Sequence, residues 1–279
     1  MILKDYLMRE EAPLTEKQWE EIDELVVKIA SNRLVGRRFI DIFGPLGGGY
    51  QSIELDKIED DGKANLGDKG NETEDIIETK DRKYISISLI YKDFLYTWRD
   101  LELVKEMGRP LDYSVLGAAV SALSYKEDDI IFNGTKETEG IMNVKGRLVV
   151  EKGDWAVDDN PYKDVAKSIE NLLNEGSYGP YSLVVSPSLY VKMQRIQDGT
   201  GVTVLSRVKE LVDGRVYQTP VINNDKGVVV SMGRQNLDLV IGQDMVTAYL
   251  GDEQLNHIFR VMESVVLRIK RPKSICTIE

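Results

Sequence analysis

An acidic segment that is followed by a strongly alternating strand pattern constrains this sequence more than any other feature. Residues 54–81 include eleven Asp or Glu and four Lys or Arg, so they carry a net charge of −7 out of −11 for the whole chain. The next stretch, RKYISISLIYKDF, alternates apolar and polar residues as one strand of a hairpin does. A hairpin this polar buries little surface by itself. We therefore predict a long hairpin arm that needs another surface, such as a second subunit, to hold it.

The stretch FGPLGGGYQ, residues 43–51, precedes this arm and holds four glycines in nine residues. Glycine-rich loops often bind phosphate, but a Walker loop has Lys and then Ser or Thr after its last glycine, where Tyr50 and Gln51 stand here. A dinucleotide-binding fingerprint would open a helix, and no helical pattern follows. The sequence therefore predicts a flexible hinge at which the chain leaves the body of the subunit, and no nucleotide site.

Composition and charge exclude several classes of protein. The chain has 279 residues, of which 42% are hydrophobic and 30% charged, as is typical of a soluble globular protein. Its net charge of −11 argues against general nucleic-acid binding, because an acidic chain repels polyanions. The N-terminus, MILKDYLMREEAP, has acidic residues where a signal peptide has an apolar core, and no apolar run is long enough for a membrane helix. We therefore predict a cytoplasmic protein.

Few residues could carry catalysis. Cys276 is the only cysteine and His257 the only histidine, which excludes an intrachain disulfide, paired-cysteine zinc sites and histidine-rich metal sites. We expect Cys276 to be a small buried residue near the C-terminus and His257 to lie at the entry of a strand. The neighbouring carboxylates Asp128 and Asp129 are expected on a solvated helix face. The sequence therefore predicts no enzyme, no cofactor and no metal site.

Periodic patterns predict an α+β fold. Thr15 opens a capping box at the start of an amphipathic helix that ends near Gly36. A longer helix is predicted over residues 112–132, with Asp112 as its N-cap. Its buried face is predicted to carry Val115, Ala118, Ala119, Ala122, Leu123 and Ile130. Strands and short helices then alternate up to about residue 225, and the strands after them are predicted to return to the long helix.

Seven segments resemble the encapsulin shell proteins, which are the subunits of bacterial and archaeal nanocompartments. In chain order they are PLTEKQWEEID, RLVGRRFIDIFGPLG, IYKDFLYTWRDLE, NVKGRL, GPYSLVVSP, NLDLVIGQDM and VLRIKRPKSICT. The motif G-R-[RK]-F-[IV]-D, followed closely by G-P, is specific to that family. The resemblance covers residues 12–276, which is nearly the whole chain. Some members of the family carry linocin or bacteriocin names.

The resemblance implies the fold of tailed-phage major capsid proteins, an α+β fold with a peripheral domain, an extended loop and an axial domain. The peripheral domain would comprise residues 1–46, 93–139 and 226–279, the extended loop residues 47–92, and the axial domain residues 140–225. Many copies would close into an icosahedral shell around a cargo enzyme. The segments MNVKGRL and RVMESVVLRIKRP are more similar to the members that enclose ferritin-like, iron-storing cargo.

The resemblance also implies a docking site for a short C-terminal peptide of the cargo on the inner wall. The matching positions are Ile29, Ala30, Leu34, Arg37, Asp41, Leu239 and Ile241. The five apolar residues would form a groove for an extended peptide. Arg37 and Asp41 would either orient the peptide by hydrogen bonds or form a structural ion pair with each other.

A second implied site is the loop around a five-fold axis, which would comprise Gln197, Asp198, Gly199, Thr200 and Gly201. Symmetry-related copies of Asp198 would place a ring of carboxylates at a pore, and such rings favour cations. The sequence therefore predicts a route by which metal ions enter the shell.

Two alternatives stay open at this point. One is a phage or prophage coat protein of the same fold that packages DNA. The other is a bacteriocin or protease, for which the sequence shows no nucleophile, base or metal constellation. The predicted partners are copies of the same chain and a ferritin-like or peroxidase cargo protein, with no nucleic acid and no membrane.

Overall fold

The computed structural model describes residues 5–59, 77–157, 159–197, 199–223 and 225–279. Residues 60–76 of the predicted arm, and Asp198 of the predicted pore loop, lie outside these ranges. The helices are α1 (Glu16–Arg33), α2 (Trp98–Met107), α3 (Ser114–Asn133), α4 (Asn160–Asn174), α5 (Pro187–Met193) and α6 (Val204–Leu211). The strands are β1 (Ile42–Phe43), β2 (Ser52–Glu59), β3 (Glu78–Ser86), β4 (Ser88–Tyr96), β5 (Leu148–Val150), β6 (Tyr181–Val185), β7 (Val216–Gln218), β8 (Gly227–Ser231), β9 (Leu237–Glu253), β10 (Asn256–Ile269) and β11 (Ile275–Ile278).

Helix α1 begins at the predicted capping box. The Thr15 hydroxyl accepts a hydrogen bond from the Gln18 backbone N–H at 3.3 Å, and the Gln18 side chain accepts one from the Thr15 backbone N–H at 2.8 Å. Both satisfy amides that a helix start leaves without intrahelical partners. The helix buries one stripe of side chains, which are Trp19, Ile22, Val26 and Ala30. This stripe packs α1 against α3 and the larger strands.

Helix α3 is the long helix that the sequence predicts, but two details differ. Tyr113 is its N-cap, and Asp112 instead accepts hydrogen bonds from the Ser114 N–H at 2.9 Å and the Ser114 hydroxyl at 2.6 Å. Three residues of the predicted buried face, Val115, Ala118 and Ala122, are exposed, and the buried side chains include Leu116, Val120 and Ile131. The reason is that α1 and the sheet contact α3 from different directions, so the buried surface does not follow a single stripe.

Four strands form an open sheet in the order β1-β9-β10-β4. β9 and β10 make a long antiparallel hairpin, β4 pairs antiparallel with β10, and β1 pairs parallel with β9. Aromatic rings fill the space between this sheet and α1: the Phe259 ring stacks on Phe94 with centroids 5.5 Å apart, and its centroid lies 6.0 Å from that of Trp19. His257 lies at the start of β10, as predicted, with its Nδ1 2.8 Å from the Tyr249 hydroxyl.

Five strands form a second sheet in the order β5-β11-β8-β6-β7, and helices α4, α5 and α6 pack on it. Cys276 is buried in this second core, as predicted. Two strands of this sheet, β8 and β11, lie in the range 226–279 that the resemblance assigns to the peripheral domain. β8 pairs with β6, and β11 pairs with both β5 and β8. Hydrogen bonding between strands far apart in sequence decides this membership.

The predicted hairpin arm is present in its described part. β2 and β3 form a separate antiparallel ribbon, which pairs with no other named strand among the described residues. At its base, Ile53 packs with Ile87, Val240 and Val266. Farther along the ribbon, the Tyr84 side chain is 69% exposed. The ribbon therefore presents apolar surface that its own chain does not cover.

The glycine stretch fixes the chain to the sheet before the ribbon begins, so it is not the flexible hinge that the sequence predicts. The Leu46 N–H donates to the Ile241 carbonyl at 3.0 Å, and the Gly47 N–H donates to the Gly242 carbonyl at 2.7 Å. Gly44 has a φ of 125°, and a Cβ at this residue would lie 2.3 Å from the Ile241 carbonyl oxygen. Glycine is needed here for close backbone approach.

Candidate functional site

The seven predicted docking residues lie around the end of α1 and the β1 edge of the sheet, but four of them are inaccessible. Ala30 is 8% exposed, Leu34 4%, Leu239 0% and Ile241 1%, because all four pack in the core between the helices and the sheet. Ile29 is half-buried against α3. These four side chains fill the interior of their own chain and present no open groove in it, so the docking role of these residues stays a prediction.

Arg37 does not pair with Asp41. Its Nε and Nη2 donate to the two carboxylate oxygens of Glu127 at 2.8 and 3.0 Å, its Nη1 donates to Asp244 at 2.9 Å, and Nη2 also donates to Glu263. Asp41 is exposed, and its backbone carbonyl accepts the Leu239 N–H at 2.9 Å. The ion pairs of Arg37 are with Glu127, Asp244 and Glu263, and not with Asp41 as the structural alternative has it.

Burial dominates the electrostatics of these acidic partners. Burial raises the pKa of the Glu263 carboxyl well above its ordinary value, and the adjacent charge of Glu127 raises it further, although the Arg37 guanidinium acts in the opposite direction. Burial alone would lower the pKa of Arg37, but its hydrogen bond to Glu127 and the charges of Glu127 and Glu263 outweigh burial and raise it. Arg37 is therefore a permanent cation that serves more than one buried acid.

Asp128 is buried, contrary to the predicted solvated helix face. Its carboxylate accepts the Val35 N–H at 3.1 Å and the Gly36 N–H at 2.9 Å, which joins the end of α1 to α3. Burial raises its pKa to about 6, against the opposing effect of these two backbone hydrogen bonds. The prediction fails because α3 is covered on several sides, so a carboxylate pair on it need not face water.

Sequence reasoning missed Glu127, Asp244 and Glu263 as partners of Arg37. One signal was available, because Glu263 stands inside the strand segment VMESVVL, in which Ser264 is the one other polar residue. A buried charged residue in such a strand needs a partner of opposite charge. The sequence does not indicate which of the 36 Lys and Arg residues supplies it.

Strand β1 presents accessible apolar surface beside the predicted docking residues. It is an edge strand, and its Ile42 and Phe43 side chains are 38% and 37% exposed. The Arg268 guanidinium lies 4.9 Å from the centroid of the Phe43 ring, and Arg234 Nη2 donates to the Ile42 carbonyl at 3.3 Å. An extended segment with small apolar side chains could lie along this edge.

The described residues of the predicted pore loop form a tight, exposed turn between α5 and α6. The Gln197 N–H donates to the Val202 carbonyl at 2.9 Å, and the Thr200 N–H donates to the Gln197 carbonyl at 3.2 Å. Gly199 and Gly201 have left-handed φ angles of 75° and 68°, and both are exposed together with Thr200. Gln197 is half-buried, and its side chain accepts a hydrogen bond from Arg207.

Metal ligands and membrane helices are the remaining candidate features. In the part of the chain that the structure describes, no group of three or more His, Cys, Asp or Glu side chains is placed to hold a metal ion. In the same residues, no helix has the length and apolar character to cross a membrane.

Comparison with known sequences identifies a family. The family model described as "Encapsulating protein for peroxidase" matches residues 4–266. The type 1 encapsulin shell protein EncA of Myxococcus xanthus is 39% identical over 99% of this chain and 97% of its own length. A diheme-cytochrome-encapsulin shell fusion protein of Kuenenia stuttgartiensis is 42% identical over 96% of this chain and 74% of its own length. A ferritin-like-encapsulin shell fusion protein of Pyrococcus furiosus is 27% identical over 74% of this chain and 56% of its own length.

Solved structures support the same assignment at the level of the fold. A virus-like particle from Pyrococcus furiosus matches with a TM-score of 0.77 at 22% identity, covering 95% of this chain and 100% of that one. The capsid of Myoviridae phage XM1 matches with a TM-score of 0.67 at 15% identity, covering 88% and 91%. The predicted α+β fold of tailed-phage capsid proteins is confirmed. Because the family model matches nearly the whole chain and its relatives align along their length, this chain belongs to the encapsulin shell-protein family.

Proposed function

We propose that copies of this chain assemble into a closed icosahedral shell that encloses a cargo protein. The observation that carries the proposal is the ribbon of β2 and β3, which packs on its own chain at Ile53 and presents the exposed Tyr84 beyond that base. A two-stranded ribbon of this kind is marginally stable alone. Contact with a neighbouring copy would stabilise it, and membership of a shell-protein family supports the same assembly.

The direct test is microscopy of the purified recombinant protein. We expect closed particles of uniform diameter in negative stain, and light scattering should give a mass of many subunits. Mass spectrometry of proteins that co-purify from the native host would identify the cargo. A folded, isolated monomer at every protein concentration and salt concentration would contradict the proposal.

For the cargo, we infer a ferritin-like protein that docks through its C-terminal peptide. A relative that is fused to a ferritin-like domain supports this choice, although the relative with a diheme cytochrome and the family's peroxidase description point to other redox proteins. The shell itself would be a container without its own catalysis. Its place would be the cytoplasm, where shell and cargo are made together.

The proposed docking surface is the exposed edge at Asp41, Ile42 and Phe43, with Ile29 beside it, rather than the buried positions that sequence reasoning indicated. An extended peptide would lie along β1 and cover its two apolar side chains, and Asp41 would bind a donor group of the peptide. A single site of this size would bind weakly, so several sites acting together on an oligomeric cargo would retain it.

Cargo retention tests this surface. Ile42→Asp should leave the shell intact and reduce the amount of native cargo that co-purifies, because a charge would replace apolar contact area. Leu255→Asp is the matched control, since Leu255 is exposed at the far end of the same sheet, in the turn between β9 and β10. Equal cargo content in both variants and the parent shell would contradict docking at β1.

For the loop Gln197–Gly201, we propose a cation pore at the five-fold axis, with Asp198 as its acidic group. The exposed turn at Gly199, Thr200 and Gly201 supports placement at a surface. Asp198→Lys should slow the uptake of iron(II) into loaded shells, whereas Asp198→Glu should not. Unchanged uptake in the lysine variant would contradict the pore.

A coat protein that packages DNA is the second candidate, because the phage XM1 capsid has the same fold. The net charge of −11 favours a protein cargo instead. Purified particles should therefore absorb as protein, without the excess at 260 nm that nucleic acid gives. Nuclease-protected DNA inside the particles would favour the coat-protein function.

A further inference from the structure

The cluster around Arg37 brings more acidic than basic groups together in the interior. Four elements contribute to it: the short turn Gly36–Arg38, α3, β9 and β10. The charged groups that face one another are Arg37, Arg38, Glu127, Asp128, Asp244 and Glu263. Only two of these six are cations. Glu127 and Glu263 have no exposed side-chain surface, so water cannot compensate their charges.

One oxygen of the Glu263 carboxyl lacks a hydrogen-bond donor among the residues that the structure describes. Its Oε1 accepts from Arg37, but its Oε2 is buried and has no partner among the described residues. The Glu263 carboxyl lies within hydrogen-bonding reach of the Glu127 carboxyl, whose two oxygens already accept from Arg37. Two buried carboxylates in contact cannot both be ionised without a large cost in desolvation and repulsion. A proton on the Glu263 carboxyl, donated toward Glu127, satisfies both groups.

We propose that this proton makes the Arg37 cluster a pH-sensitive joint, which holds the turn Gly36–Arg38 to α3 and the sheet while Glu263 is protonated and releases the turn when the proton is lost. The proton leaves to solvent as the pH rises. Arg37 must then compensate two buried negative charges and Asp244 at once. Because Asp244 is the solvent-exposed acid of the cluster, we expect Arg37 to move outward with it and the buried pair to take up water.

The turn lies between α1 and β1, so its release would loosen the start of β1. If β1 is the cargo edge, alkaline pH would also weaken cargo docking, and this consequence alone rests on the proposed function. The joint itself is a property of one folded chain. The pH-sensitive joint can therefore be contradicted while the proposed shell assembly stands, and the shell assembly can be contradicted while the joint stands.

The direction of the pH effect follows from linkage. Glu263 binds its proton more tightly in the folded chain than in the unfolded chain, since burial raises its pKa. The corresponding stability is fully present below the ordinary pKa of a glutamate and is lost as the pH rises through the folded value. Asp128, whose folded pKa is about 6, also loses a proton as the pH rises, so the part of the effect that belongs to Glu263 is the part that Glu263→Gln removes.

The experiment compares the parent protein with Glu263→Gln. The Gln side chain keeps an acceptor for Arg37 and a donor toward Glu127 but cannot ionise. Over a pH series that runs from the ordinary pKa of a glutamate into the alkaline range, the unfolding midpoint of the parent should fall by about 3 °C per pH unit where Glu263 loses its proton, and that of Glu263→Gln should fall less steeply. In the parent, hydrogen exchange at the backbone amides of Val35 and Gly36 should also become faster with rising pH than base catalysis alone explains.

Asp93→Asn is the matched control, because Asp93 pairs with Arg260 on the exposed face of the same sheet. This variant should keep the parental dependence of the unfolding midpoint on pH.

Equal slopes in the parent and Glu263→Gln would overturn the proposal. A second measurement covers the case in which that variant does not fold. Infrared difference spectra of the parent, labelled at its glutamate carboxyl carbons, should show a carboxylic acid that stays protonated above the ordinary pKa of a glutamate and is lost over the pH range in which the unfolding midpoint falls. Ionisation of every glutamate at its ordinary pKa would equally overturn the proposal.

Discussion

At the scale of single residues, buried carboxylates join segments that are far apart along the chain. Asp128 is one helical residue, yet it binds two backbone amides of the segment that follows α1. These amides lie beyond the last turn of the helix and have no intrahelical role, so the carboxylate satisfies donors that would otherwise be buried without partners. One side chain thus decides where the chain leaves α1.

Replacing Asp128 with Ala should therefore destabilise the protein by about 2 to 4 kcal/mol, because two buried N–H groups lose their acceptor. Asp128→Asn should cost less, since the amide oxygen can still accept both hydrogen bonds. The folded pKa of Asp128 is raised to about 6. The part of the folding stability that depends on its proton is therefore full at acid pH and is lost as the pH rises through that value.

Guanidinium titrations at several pH values would measure both effects. The Asn variant should show a weaker fall in stability between about pH 4 and pH 6 than the parent does. If Ala and Asn at residue 128 are equally tolerated and the pH dependence is unchanged, Asp128 does not have this role.

At the scale of elements, the end of α3 depends on a close crossing of the chain. The Ile141 and Met142 N–H groups donate to the Ile131 and Phe132 carbonyls at 3.0 and 2.8 Å, so the chain after the helix folds back onto its last turn. A Cβ on Gly140 would lie 2.4 Å from the Gly134 nitrogen and 2.5 Å from the Phe132 carbonyl oxygen. Both neighbours are backbone atoms that cannot rotate away.

Gly140→Ala should therefore cost more than about 3 kcal/mol or prevent soluble expression, because the crossing must open to admit a methyl group. Gly49→Ala is the matched control, since a Cβ there meets no atom within 4 Å and its φ is not left-handed. We expect the control to change stability by less than about 1 kcal/mol. Similar expression and unfolding midpoints for the two variants would show that the crossing relaxes easily.

At the scale of the whole molecule, the single chain is incomplete. The ribbon of β2 and β3 adds no strand to either larger sheet, and one end of it carries the small cluster at Ile53 that anchors it. Its remaining apolar surface, such as Tyr84, contributes to folding only if another molecule covers it.

Tyr84→Glu should accordingly leave the unfolding midpoint of the unassembled chain nearly unchanged but reduce the fraction that assembles by about tenfold, because a charge would be placed in a buried contact between copies. Tyr84→Phe keeps the apolar area and should assemble like the parent. Size-exclusion chromatography with light scattering measures the assembled fraction. Full assembly of the Glu variant would place Tyr84 outside any contact between copies.

Local features of the fold were predictable from the sequence wherever the physics is local. The capping box at Thr15 and the alternating strand pattern before residue 94 both follow from interactions over a few residues. The family, and with it the phage-capsid fold, was predictable because its motifs are specific. The docking residues were predicted from the same motifs, and four of them are core side chains because a motif does not state which face of an element is covered.

The order and type of most elements, the polar arm, the family and the lack of paired cysteines can all be read from the amino-acid sequence. The partners of Arg37, the burial of Asp128, the fixed glycine stretch and the sheet that contains β8 and β11 depend on how the chain folds. The reason is distance along the chain: Arg37 and Glu263 are separated by 226 positions, and Arg37 and Glu127 by 90. Periodicity and propensity act over one or two turns, whereas burial and ion pairing depend on which distant segments the folded chain brings together.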